Sequence, residues 1–370
     1  MLSKLAKQCL FTLQGTGFQA YAVGGCVRDL LLERPIHDID IATDATPDQV
    51  TALFPRTVPT GLAHGTVTVL LGDERFEVTT FRSESGYSDG RHPDAVHFET
   101  DITADLSRRD FTINAMALDL DGNLLDPFGG QEDLQRRILR CVGEPERRFA
   151  EDSLRILRAI RFSAQLGFEI EAETQAAMIH LRAGLSTVSA ERVRVELEKI
   201  LLAEHLERGN LLFSLDLFDF SGDLTAFSRY PSQLLPRLAA FCAQGSDAGL
   251  PRRLKWDKRS YIAIETAAEL SQSPPQSETD WRRIIGYHGE TAGLALAGWL
   301  DELAAFEQIN SQNFPRSANE LAVSGADLLA LGLTGAEIGA AQRRFLEQTW
   351  QNPAENSRER LLMTISDPLA

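Results

Sequence analysis

Two glycines closing an apolar run, then two carboxylates in a short alternating segment, leave residues 18–43 few ways to fold. Phe18 to Val23 is apolar with aromatic and β-branched members, the composition of a buried strand. Gly24 and Gly25 let the backbone turn tightly and approach a ligand that a Cβ would push away. Cys26 to Leu32 predicts a short helix, whose first amides and positive dipole face an anion such as a triphosphate. Arg28, in its first turn, adds a charge-assisted contact. Asp38-Ile39-Asp40, flanked by Ile36, Ile41 and Ala42, predicts a second strand with both carboxylates on one face. Such a pair repels itself, and a divalent cation keeps both groups ionised. Alone, either half reads as an ordinary turn or a solvated Asp pair. Together they are the equipment of metal-assisted chemistry on a phosphate.

At 370 residues the chain has material for two or three folded units. A net charge of −16 argues against a broad nucleic-acid surface. Local basic clusters (Arg136, Arg137, Arg140, Arg147 and Arg148, then Arg252, Arg253, Lys255, Lys258 and Arg259) leave patches that a polyanion would bind salt-sensitively. No apolar run approaches the length of a membrane span, and the N-terminus lacks a signal-peptide pattern. Met1 to Leu13 instead predicts an amphipathic helix. Cys9, Cys26, Cys141 and Cys242 show neither metal nor disulfide spacing, which fits a reduced, cytoplasmic setting.

Further along, Thr46 to Phe54 predicts a helix capped at Thr46 with Pro47 first. Gly65–Leu71 and Arg75–Phe81 predict a hairpin about Gly72-Asp73. Glu77, on its second strand, is either a third acidic ligand or an outward-facing Glu. Ser83 to Pro93 reads as a loop that belongs to a site. In Arg108-Arg109-Asp110, adjacent arginines suggest phosphate clamping, with Asp110 orienting one of them or accepting from a ribose hydroxyl. A second hairpin is predicted about Asp121-Gly122, then Asp126-Pro127-Phe128-Gly129-Gly130 leads into a helix over 131–141. From there the pattern is almost entirely helical, so the fold class is α+β, a mixed head followed by helices.

Glu151 to Phe162 predicts a helix whose buried stripe is Leu154, Leu157 and Ile160. Asp152, Arg155, Arg158 and Arg161 recur every three residues, and Asp152 with Arg155 makes a coherent pair. An Asp accepts from the exocyclic amino group of cytosine or adenine, and an Arg donates to the adjacent ring nitrogen. Uracil and guanine reverse that order and leave both side chains mispaired, the strong way to reject a substrate. The alternative is an ordinary salt-bridged surface helix.

These residues resemble the motifs of the class II tRNA nucleotidyltransferases, CCA-adding enzymes of the bacterial type in the polymerase β-like superfamily. Gly24-Gly25-Cys26-Val27-Arg28-Asp29 with Asp38-Ile39-Asp40 resembles their first motif, and Arg108 to Ala115 their second. Asp126 to Gly130 resembles the third, Glu151-Asp152-Ser153-Leu154-Arg155 the nucleotide-selecting motif, and Ser189-Ala190-Glu191-Arg192 with Glu196-Leu197 the last, a helix-packing element. The resemblance implies a polymerase β-like head over residues 1–140 and a nucleotide-selecting neck over 141–208. A body over 209–290 and a tRNA-binding tail over 291–370 would follow. It further implies Mg²⁺ on Asp38 and Asp40, with Gly25, Arg28 and Arg109 on the triphosphate. Asp152 and Arg155 would read the base, with Arg158 and Arg161 completing that surface. The substrates would be CTP, ATP and the acceptor end and elbow of tRNA, with no DNA and no membrane.

CC-adding, A-adding and poly(A)-adding relatives share these motifs. Phe81 to Arg91 resembles the flexible loop that full CCA-adding enzymes keep. Other classes fit poorly. A dinucleotide-binding oxidoreductase needs G-x-G-x-x-G and alternating βα units. A metal phosphohydrolase built on His37-Asp38 lacks a second His cluster. A non-catalytic RNA-binding homologue would have lost an acidic ligand.

Overall fold

The computed structural model of the chain describes residues 2–62, 65–87, 93–230 and 232–366. It divides into two compact units, Met1–Phe218 and Asp219–Ala370. The first opens with α1 (Lys4–Gly15), capped by Ser3, whose hydroxyl accepts the Ala6 N–H at 3.0 Å. This is the amphipathic helix expected from sequence, and it buries Ala6, Cys9, Leu10 and Leu13. β1 (Ala20–Val23), α2 (Gly25–Leu31), β2 (Asp40–Thr43) and α3 (Pro47–Leu53) follow. β3 (Thr57–Gly61) leads to the predicted hairpin of β4 (Thr66–Leu71) and β5 (Glu74–Thr80).

These strands join the short β8 (Ala117–Leu118) and β9 (Leu124–Leu125) in one sheet of order β3-β4-β5-β2-β1-β8-β9. Only β2 and β5 run parallel; the other neighbours are antiparallel. β5 therefore returns from the distant hairpin to lie beside β2, and this crossover sets Glu77 opposite Asp40. Val23, Ala42, Phe81, Ile102, Leu106, Ala115, Ala117 and Val142 form a core cluster on the sheet face that also carries Asp40.

Three local expectations need correction. Ser83 does not begin a loop: β6 (Arg82–Ser85) pairs antiparallel with β7 (Ala95–Phe98), and only residues 88–92 of the expected loop lie outside the described residues. The helix expected over 131–141 stops early. α5 (Gly130–Arg136) ends at Arg137, which takes a left-handed conformation, and β10 (Ile138–Leu139) then pairs in parallel with β11 (Glu169–Ile170). Its carbonyls are drawn away from helix geometry by the Glu169 and Glu171 amides, which donate to Arg137 and Leu139 at 2.9 Å. Finally, β2 starts at Asp40, so Asp38 and Ile39 precede the strand rather than occupy it.

The remainder of this unit is helical, as predicted: α4 (Ile102–Ser107) lies in the head, then α6 (Pro145–Glu151), α7 (Leu154–Leu166), α8 (Ala172–His180) and α9 (Ala190–Leu201). α7 is buried on nearly every side, including the predicted Leu154, Leu157 and Ile160. The second unit is helical and includes Leu234–Gln244, Lys258–Leu270, Glu278–His288 and Gly335–Gln351. Its core holds Trp350, whose indole N–H donates to the Pro315 carbonyl at 2.8 Å. Among the described residues no helix is long and apolar enough to cross a membrane. All four cysteines are free thiols and buried, Cys9, Cys26 and Cys141 in the first unit and Cys242 in the second.

Candidate active site

One cleft of about 590 Å³ gathers most of the residues singled out from sequence. The turn after β1 contributes Gly24 and Gly25, α2 contributes Arg28, and β2 contributes Asp40. Arg108, Arg109, Asp110 and Asn114 come from the segment after α4, and Asp152, Arg155, Arg158 and Phe162 from α7 and its approach. Arg192, on α9, completes the wall.

Gly24 takes φ 79° and ψ −135°, a conformation that side chains other than hydrogen rarely adopt. A Cβ there would also lie 2.7 Å from Nη1 of Arg109. The glycine thus lets the Arg109 guanidinium close over the turn, as the sequence suggested for a ligand's approach. Arg109 is further held by Asp105 at 3.3 Å and the Asn114 carbonyl at 3.4 Å, and its buried Nε has no partner. Arg28 donates from Nε and Nη2 to Asp29 at 3.0 and 2.9 Å, and from Nη1 to Asn114 at 2.8 Å. Two guanidiniums so fixed make a suitable clamp for a polyphosphate.

Asp40 pairs directly with Val23 on one side and Glu77 on the other, so its carboxyl and that of Glu77 share one face of the sheet. Crowding by the cleft walls raises the Asp40 pKa above the usual carboxylate value, opposed by Arg109 and reinforced by Glu77 and Asp38. Asp40 nonetheless stays open to solvent. Asp38 is exposed and lies with Asp40 and Glu77 in an adjoining cavity rather than in the cleft itself. Oxygen donors of this kind suit a hard cation. Among the described residues no three acidic, His or Cys groups gather closely enough to cage a metal unaided. Mg²⁺ is ordinarily held by one or two carboxylates together with substrate phosphates, and the mutually repelling Asp38, Asp40 and Glu77 fit that role.

The far wall differs from the sequence expectation. Asp152 lies just before α7 rather than on it and is ion-paired with Arg192. Arg155 is bound by Glu151 at 2.7 Å and by the Arg148 and Arg108 carbonyls. Arg158 donates from Nε and Nη2 to one oxygen of Asp110 at 2.8 and 2.6 Å. Burial works against the Asp110 carboxylate, but Arg158 beside it, helped by Asn114, holds it well below the usual range. Asp110 therefore orients Arg158, one of its two expected roles, although not the neighbouring Arg109. Arg161 is absent from the cleft lining. It is buried against Glu196 on α9 and Gln165, where it ties two helices together. The Phe162 ring lies between these groups, with Arg28 5.1 Å, Arg158 5.5 Å and Arg161 3.8 Å from its centroid.

From sequence Arg192 belongs to a helix-packing element, and Asn114 and Phe162 carry no expected role of their own. For Glu77 the signal existed: Arg75, Glu77 and Thr79 alternate along one strand face.

The sheet, its carboxylates and the arginine-lined cleft are those of a nucleotidyltransferase head. Residues 20–140 match the poly A polymerase head domain, and residues 167–221 match a probable RNA and SrmB-binding site of polymerase A. The chain is 41% identical over 343 residues to a CCA-adding enzyme of Geobacillus sp. (strain WCH70), covering 86% of this chain and 85% of that protein. It is 49% identical over 383 residues to a CCA-adding enzyme of Lactiplantibacillus plantarum, covering 96% and 94%. The crystal structure of Bacillus stearothermophilus CCA-adding enzyme in complex with CTP superposes with a TM-score of 0.80 at 31% identity, covering 98% of this chain and 97% of that one. The chain belongs to the CCA-adding enzyme family.

Proposed function

We propose that this chain adds C, C and A to the 3′ end of tRNA from CTP and ATP, without a nucleic-acid template and with release of pyrophosphate. What carries the reading is a single cleft lined by a carboxylate, clamping arginines and a charged wall suited to a base edge. Arg28 and Arg109 hold the triphosphate. Asp152 and Arg155 meet the base edge of cytosine or adenine, and Arg158 borders it. The RNA 3′-oxygen forms a bond to the α-phosphorus while the bond from that phosphorus to the pyrophosphate oxygen breaks, its electron pair leaving with pyrophosphate. The hydroxyl proton passes to the carboxylates. Asp38 and Asp40 would hold Mg²⁺, which when bound supplies Lewis-acid polarisation of the phosphates.

In the same reading, residues 1–140 act as head and 141–208 as neck. Residues 209–290 and 291–370 serve as body and tail, the latter contacting tRNA. The reaction belongs in the cytoplasm, where four free thiols persist.

The test is a transfer assay with Mg²⁺ on a tRNA transcript lacking its 3′ end, resolved to single nucleotides. Addition of C, C and one A, then arrest, is expected. Arrest after two C residues with both nucleotides present would make it a CC-adding enzyme. An unlimited A ladder would make it a poly(A) polymerase. No Mg²⁺-dependent addition would overturn the reading.

A further inference from the structure

One buried amide touches both ends of the cleft. Asn114 ends a 3₁₀ turn (Thr112–Asn114) between α4 and β8, and it is buried although it contributes to the cleft lining. The turn is fixed from behind. Thr112 Oγ1 donates to the buried Asp133 carboxylate at 2.7 Å, and Gly130 lies so close to Thr112 that a Cβ there would collide with the Thr112 carbonyl. Packing of this kind leaves the backbone at Asn114 little room to adjust.

From that fixed point Asn114 reaches in three directions. Its Oδ1 accepts from Nη1 of Arg28 at 2.8 Å, and its main-chain carbonyl accepts from Nη1 of Arg109 at 3.4 Å. Its Nδ2 donates to Oδ1 of Asp110 at 3.2 Å, and Oδ2 of the same carboxylate takes both Nε and Nη2 of Arg158. The amide has one usable orientation, because a guanidinium only donates and an ionised carboxylate only accepts. Asp110 is equally constrained, since its Oδ1 also receives the Phe111 N–H at 2.9 Å. A shift of Arg28 therefore reaches Arg158 through two buried groups, Asn114 and Asp110, joined by charge-assisted hydrogen bonds.

We propose that Asn114 is a positioning residue that makes base selection depend on a seated triphosphate. The inference rests on the reading of Arg28 as a triphosphate contact and of the wall bordered by Arg158 as the base reader. Every nucleotide carries the same triphosphate, so Arg28 alone holds no information about the base. With independent ends, loss of Arg28 would weaken all nucleotides alike. Through Asn114 the ends are joined: a phosphate drawn onto Arg28 orients the amide, the amide orients Asp110, and Asp110 holds Arg158 at the edge of the base. Binding energy from the part of the substrate that all nucleotides share is thus used to fix the part of the site that tells them apart.

Competition between CTP and UTP on the transcript lacking its 3′ end, at fixed Mg²⁺, tests the assignment in wild type, Arg28→Ala, Asn114→Leu and the double variant. The readout is the ratio of kcat/KM for the two nucleotides, with the KM for CTP measured separately. Arg28→Ala should raise the KM for CTP by about tenfold and also lower the CTP/UTP ratio by about tenfold, the scale of one misplaced polar contact. Asn114→Leu should lower the ratio similarly, and adding Arg28→Ala to it should lower the ratio no further, a non-additivity that a merely structural role for the amide does not produce. The Phe162 ring also lies against Arg28 and Arg158, and coupling through it would survive in the Asn114 background. Asn114→Ala serves in the same cycle if the leucine variant does not fold. A CTP/UTP ratio unchanged in Arg28→Ala, or additive losses in the double variant, would overturn the coupling while leaving the nucleotidyl-transfer reading intact. An unchanged KM for CTP in Arg28→Ala would remove Arg28 from the triphosphate and the coupling with it. Absence of transfer by the wild type would overturn the functional reading itself.

Discussion

Arg192 grips Asp152 at two points, Nη2 on Oδ2 at 2.6 Å and Nη1 on Oδ1 at 3.2 Å. Oδ1 also accepts the Leu154 N–H at 3.0 Å. The Asp152 carboxylate is thus fixed by a side chain from a different helix, and Arg155 is fixed separately by Glu151. Two independent anchors hold the donor and acceptor whose order would distinguish C and A from U and G.

Replacing Arg192 by Ala should free Asp152 and relax that order. In competition assays, discrimination against UTP and GTP is expected to fall by about tenfold or more, the equivalent of ~1–3 kcal/mol for one misplaced polar contact. Arg155→Ala should relax it comparably. Unchanged selectivity in both variants would put base reading elsewhere.

Asp40→Asn keeps the shape of the side chain and removes its charge. Turnover should fall by about a thousandfold or more, several kcal/mol of transition-state stabilisation, while CTP binding followed by calorimetry survives in part. Glu77→Gln should show a smaller loss in the same direction. Full turnover in Asp40→Asn would remove the carboxylates from the chemistry.

The Asp110–Arg158 pair makes a pH-dependent contribution to stability. Its folded pKa is depressed from the ordinary 3.8, so the contribution is fully present above that value and fades as pH falls below it. Asp110→Ala should strand the Arg158 charge and destabilise the first unit by ~3–5 kcal/mol. Denaturant titrations between neutral pH and about pH 3 should show a steeper acid loss in wild type than in the variant.

Gly24→Ala tests the turn. The strained backbone and the clash with Arg109 should displace that guanidinium and raise the KM for CTP by about tenfold, since strain of this kind is of order 1–3 kcal/mol. An unaltered KM would show that Arg109 does not clamp the nucleotide.

Much of this was legible in the sequence because it is local. The turn at Gly24, the cap at Thr46, the hairpin about Gly72-Asp73 and the buried stripe of α7 each follow from neighbouring residues. The family resemblance brought Asp40, Arg28 and Arg109 to one cleft in expectation, and the structure gathers them there. What escaped is partnership across the chain. Glu77 meets Asp40 through a parallel crossover, Arg158 meets Asp110, and Arg192 meets Asp152 from another helix. The family resemblance put Arg161 on the base-reading surface, although a period of three turns the helix by about 60° per step, so residues 152, 155, 158 and 161 cannot all serve one point. Arg161 accordingly ends on Glu196 and away from the cleft. Asp38 likewise escaped strand geometry because β2 begins only at Asp40.

The buried thiols give the chain a built-in clock for its own opening. Burial pushes Cys9 and Cys141 up to about 12 and Cys26 up to about 11, and raises Cys242 as well, so neither access nor ionisation favours reaction in the native state. Alkylation must then wait for local or global unfolding. Because Cys242 is the one cysteine of the second unit, peptide-resolved alkylation rates will report the opening of each unit without any engineered label.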